Sequence, residues 1–148
     1  MLSPILSPTL SQDATTELNA LLAQWHDTET RTKAAFEAFR DHLQAMDGIR
    51  LQFKSRPGVS HSLRASHPAQ SERELFVLVD VVDDDPDARW LSVCFYADMV
   101  TDPAELGDWV PGGLLGEDAL CLNLESDDED MRSYIMKRLT EAYIAAKG

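Results

Sequence analysis

The sequence predicts a single α+β domain: an N-terminal helical region, an antiparallel sheet of four or five strands, and a C-terminal helix packed on the sheet. Three observations carry this. Apolar residues recur at spacings of three and four over the first third of the chain. The period switches to two after Gly48. The last twenty-odd residues begin with acids and end with bases, as a capped helix does.

The helical pattern runs from Asp13 to Asp47. Leu18, Leu22, Trp25, Glu29, Thr32, Phe36, Phe39, Leu43 and Met46 share one face, with Asp13 placed to cap the start and Gly48 to stop the end. An unbroken helix of that length would reach roughly 50 Å at 1.5 Å per residue, wider than a small domain. The polar patch "DTETRT" (Asp27 to Thr32) interrupts the stripe. Two segments or a kinked helix are therefore expected over a straight one that overhangs and packs on a second copy. Residues 1–12 read as a flexible leader, and residues 13–148 as the domain. The leader has no Lys or Arg and is broken by Pro4 and Pro8, so it is not a secretory signal.

In "IRLQFKSR", Ile49, Leu51 and Phe53 alternate with Arg50, Gln52, Lys54 and Arg56, the pattern of a half-buried strand. "PGV" is a turn, and "SHSLRASH" a weaker second strand. "ELFVLVDVV" (Glu74 to Val82) and "RWLSVCFYADMV" are apolar on both faces, as covered central strands are. Between them "DDDPD" makes a polar hairpin tip. Asp83, Asp85 and Asp87 match the first three ligand positions of a calcium loop. Ala88 and Cys94 stand where that loop needs Gly and Glu, so the acids are assigned to hydration of the tip and no metal is expected.

The stretch from Asp98 to Asp118 loses periodicity and is punctuated by Gly107, Pro111, Gly112, Gly113 and Gly116. It reads as a long irregular connection, either a lid over the sheet edge or a contact surface formed by Trp109, Leu114 and Leu115. "ALCLNLES" is a last strand. Ser126 and Glu129 have capping-box spacing ahead of a helix whose buried face would hold Met131, Ile135, Leu139, Ala142 and Ala146.

The net charge of −13 is unevenly placed. Residues 1–71 balance seven acids with seven bases, whereas residues 72–130 hold eighteen acids against Arg73 and Arg89. Such a surface repels phosphate backbones and anionic lipid, so neither nucleic acid nor membrane is expected as a partner. Cys94 and Cys121 have no metal-type spacing and read as small buried hydrophobes in a reducing cytoplasm. A disulfide would require their strands to meet. No two of His26, His42, His61 and His67 have metal-ligand spacing on a helix, and no HExxH, GxSxG or phosphate loop is present. No catalytic residues and no cofactor are assigned. Arg50, Lys54, Arg56 and Arg64, with His61 and His67, form the one basic zone. Arg50, Lys54 and Arg64 join Trp109, Leu114 and Leu115 as candidate binding residues.

Residues 74–146 resemble the end of a family of small bacterial domains of unknown function, distantly like restriction nucleases. The resemblance rests on the strand ending "LNLES", the helix "DDEDMRSYIMKRLTEAY" and the Ala142-Tyr143 pair. It implies no nuclease activity, because the acid-then-(D/E)xK signature is absent. "LQFK" is nearest, with Gln52 where an acid would stand. The expected function is a non-catalytic cytoplasmic interaction module, homodimeric through its N-terminal helices and open to a basic protein partner. A small acidic secretion or partner-specific chaperone is the second expectation. The third is an enzyme of unrecognised type built on Asp80 and the basic zone.

Overall fold

A computed structural model of the chain describes residues 10–148. Its elements in order are α1 (Gln12–Gln24), α2 (Thr32–Gln44), β1 (Arg50–Arg56), β2 (Ser60–Ser66), β3 (Val77–Val82), β4 (Trp90–Tyr96), β5 (Asp108–Leu114), β6 (Glu117–Leu124) and α3 (Glu129–Lys147). The six strands form one antiparallel sheet in the order β1-β2-β3-β4-β6-β5. The α+β class and the C-terminal helix on the sheet are as the sequence predicts, and the sheet has six strands instead of four or five.

The N-terminal helical region is two helices. Ser11 caps α1 by accepting the Ala14 amide at 3.1 Å, two residues earlier than the Asp13 cap expected from the sequence. Asp27, in the polar patch, accepts the amides of Lys33 and Ala34 and so holds the start of α2. Arg31, just before it, sits in the left-handed region at φ 58°. The break follows from this side-chain competition for amides, which favours a cap over helix continuation. Leu18, Leu21, Trp25, Phe36, Phe39 and Leu43 all lie in the chain's own core, with Trp25 and Phe36 in aromatic contact. Leu22 and Met46, also on the expected stripe, are partly buried against the same core. Residues 1–9 of the expected leader lie outside the described residues. Leu10, at its end, is buried against the core.

The helices share one face of the sheet. α1 packs beside β1, α2 on β4, and α3 on β6 and against α2. On that face lie Leu51 and Phe53, then Leu63 and Ala65, Val77, Val79 and Val81, Leu91, Val93 and Phe95, and Leu122 and Leu124. α3 buries Ile135, Leu139, Ala142 and Ala146 as expected, with Met131 half-buried. Its cap is Asp128, which accepts the Asp130 amide, and not Ser126. The helix begins three residues after Ser126, so Glu129 is its first residue and Ser126 lies outside it.

Among the described residues no helix lies over the opposite face. At one end, Leu75, Tyr96, Leu114, Ala119 and Cys121 make a second small core. Cys94 and Cys121 are direct cross-strand partners on this face, with Cα atoms 4.1 Å apart, and form a disulfide. The two free thiols expected from the sequence are thus replaced by a bridge, because β4 and β6 are neighbours although 27 residues separate the cysteines.

Candidate functional site

Among the described residues the sheet has two free edges, β1 and β5, and the candidate residues divide between them. The stretch expected to be irregular forms the β5 edge. Asp108–Leu114 pairs with β6, and Leu115 and Gly116 turn the chain back between the paired residues Leu114 and Glu117. Both turn residues have positive φ, 50° and 85°, the requirement of a tight two-residue hairpin with primed geometry. Trp109 is 61% exposed, and Leu106, Val110 and Leu115 are also exposed. Leu114 is a correction: at 3% exposure it belongs to the second core, turned inward by the register shift between Val110 and Leu114. Around the exposed residues stand Glu105, Asp108 and Asp118, none in an ion pair among the described residues. A hollow of about 190 Å³ beside Trp109 is lined by Arg73, Asp98, Glu117 and Asp118. Arg73 grips both Asp98 and Glu117 and lies over the Tyr96 ring, so its charge is already matched. Through Arg73 the Asp98 carboxyl is held below the usual carboxylate range.

At the β1 edge the structure brings together the basic residues. Arg50 and Lys54 project from β1 and Arg64 from β2, with Arg56 at the strand end. Asp80 sits on the next strand, opposite Ser62, whose hydroxyl donates to it. It is a half-buried group on the uncovered face of a central strand. Burial pushes its carboxyl up, opposed in part by the Ser62 hydrogen bond and by Arg64 and Arg56.

Behind the same edge lies a buried polar cluster that the sequence reading missed. Asp83, expected on the wet hairpin tip, is only 4% exposed. Its Oδ1 accepts Arg89 Nε at 2.7 Å. Its Oδ2 accepts the Gly58 amide at 3.2 Å and lies 2.7 Å from His61 Nε2. Burial alone would raise the Asp83 carboxyl, but the hydrogen bonds from Arg89, His61 and Gly58 outweigh it and hold it low. His61 Nδ1 is 2.9 Å from Ser55 Oγ, and its ring stacks on Phe53. Because an ionised Asp83 only accepts, His61 carries its Nε2 proton toward it and its other nitrogen faces Ser55. The Arg89 carbonyl in turn accepts the Thr32 hydroxyl at 2.7 Å, which ties the cluster to α2.

The order Ser55, His61, Asp83 has the connectivity of a nucleophile, base and acid. His61 is 2% exposed and Arg89 6%, and the cluster fastens the β1–β2 hairpin tip to the ends of β3 and β4 and to α2. Asp85 and Asp87 stay on the exposed tip, where Asp85 accepts the Asp87 amide. Asp83 therefore faces away from them and does not share a ligand shell with its neighbours in sequence. Among the described residues no helix is long and apolar enough to cross a membrane. No protein-family model, curated protein or solved structure matches this chain.

Proposed function

We propose that this chain is a non-catalytic interaction module that receives an extended, basic and apolar segment of a partner protein along the free edge of β5. The observation that carries this reading is the edge itself: a strand with unpaired backbone groups, four large exposed apolar side chains on and beside it, and three carboxylates without ion-pair partners around them. Pro111 removes one amide, which limits strand pairing to Asp108–Val110 and blunts indiscriminate edge-to-edge association. The carboxylates oppose β5 pairing with β5 of a second copy, where acid would meet acid, and favour lysine or arginine on the incoming segment. A partner-specific chaperone holding a basic client would use the same edge.

Co-purification from native lysate, comparing the wild type with Trp109→Lys and Asp108→Lys, tests the proposal. The partner is identified by mass spectrometry and its contact mapped by cross-linking to β5. Loss of one defined partner with a basic extended segment, in both variants, is the expected result. An unchanged set of partners, or cross-links only to the helical face, would sink it.

A further inference from the structure

The second edge carries a different chemistry. Beside β1 is a cavity of about 450 Å³ lined by Lys54, Ser55, Arg56, Ser62 and Arg64, with Phe53 and Glu17 at its rim. Lys54, Arg56 and Arg64 form no ion pair among the described residues, in a chain where acids outnumber bases two to one. Asp80 and Glu17 set two negative charges against these three positive ones. The groove is therefore electropositive on a strongly acidic molecule. The Nε of Arg64 is buried and has no hydrogen-bond partner among the described residues, a donor that costs free energy until an acceptor arrives. Arg56 is held only by a long contact to Ser60 Oγ at 3.4 Å.

We infer that this groove is a binding site for the phosphoryl group of a small organic phosphate monoester. Two guanidinium forks and an ammonium offer more donors than one carboxylate can accept, whereas three phosphoryl oxygens can take them. Ser55 of β1 and Ser62 of β2 also line the cavity. Room for the rest of the molecule lies next door. A cavity of about 930 Å³ continues along β1, shares Phe53, Lys54 and Glu17 with the first, and is lined by Ile49, Leu51 and Arg50. The site rests on the β1 edge alone and does not depend on how β5 is used. The fastened hairpin tip gives it a fixed frame: Ser55 is held by His61, which is held by Asp83.

The test is titration of the full chain with inorganic phosphate, phenyl phosphate and phenol, followed by amide NMR and calorimetry. Phosphate and phenyl phosphate should shift the amides of residues 54–56 and 62–64, with phenyl phosphate extending the shifts to residues 49–52, and phenol should bind at neither place. Arg56→Gln and Lys54→Gln change exposed residues and should leave the melting temperature unchanged, while each weakens phenyl phosphate binding roughly ten-fold or more. Three results would overturn the inference: no shift at about 10 mM phosphate and phenyl phosphate, ten times a millimolar Kd; phenol binding as tightly as phenyl phosphate; or variants that bind like the wild type.

Discussion

At the β1 edge the exposed side chains are Arg50, Gln52, Lys54 and Arg56, with α1 standing beside them. At the β5 edge they are Trp109, Val110 and Leu115, set among Glu105, Asp108 and Asp118. The two edges are also anchored differently. The β1–β2 hairpin tip is fastened by a buried ionic cluster on Asp83, whereas the β5 half is stapled by the Cys94–Cys121 disulfide and a small apolar core. The difference teaches how one sheet can keep two unpaired edges without aggregating. One edge is guarded by charge and a neighbouring helix, the other by Pro111, a tight turn and a ring of carboxylates.

The largest effect should come from breaking the β1 anchor. Asp83→Ala leaves the Arg89 guanidinium buried without its partner, which costs about 3–5 kcal/mol. Urea unfolding should read this loss, and hydrogen exchange should rise at residues 56–61 more than across β5 and β6. A uniform rise would show that the tip is not a separate anchor.

Breaking the β5 anchor comes next. Reduction of the Cys94–Cys121 bridge opens a loop closed by 27 residues of separation, worth about 3 kcal/mol by the chain-entropy argument. The unfolding midpoint should fall on adding a reductant, and Cys94→Ser should show the same midpoint with and without it.

Acid should act through opposing signs. Asp83, Asp98 and Asp102 are held below the usual carboxylate range; burial would raise Asp102, but Tyr134 and the amides of Gly107 and Leu106 outweigh it. Their contribution is fully present above the unfolded value, near 3.9, and is lost as pH falls through their folded values. Asp80 has the opposite sign. Its carboxyl is raised, so its contribution is present below the unfolded value and is lost as pH rises through the folded one. Asp80→Asn keeps an acceptor for the Ser62 hydroxyl and should raise the melting temperature at pH 7, with the gain vanishing near pH 3. A gain that persists in acid would mean that ionisation is not its cause.

The smallest effect sharpens the β5 side. Leu115 holds a left-handed φ of 50°, a conformation that asparagine adopts more readily. Leu115→Asn should stabilise by less than about 1 kcal/mol and leave the β1 edge untouched, as thermal melts and amide spectra would show.

Much of the fold was legible because burial imposes a period. The helical stripe, the alternation of β1, the apolar β3 and β4 and the buried face of α3 all follow from it. β5 was not legible because both of its faces are exposed. "DWVPGGL" has nothing to alternate against, and its Pro and Gly residues read as a loop. The Arg50, Lys54 and Arg64 charges were visible, but only the register of β1 with β2 places Lys54 and Arg64 in one groove with Arg56, while Arg50 lines the neighbouring cavity. The Asp83 cluster did leave a signal that composition hid. Val77, Val79 and Val81 point to the core, and Asp83 continues their parity. Arg89 continues that of Leu91, Val93 and Phe95, and His61 that of Leu63 and Ala65. Three ionisable residues at inward positions at the ends of or within adjacent strands are a stronger clue than four aspartates crowded in a turn.

The strand order also sets a length scale. β1 and β5 are the outermost of six strands, so five steps of about 4.8 Å put them roughly 24 Å apart across the sheet. Molecules seated at the two margins would not touch, and neither would block the other. The two margins of one copy are thus separate surfaces, each open without the other being occupied.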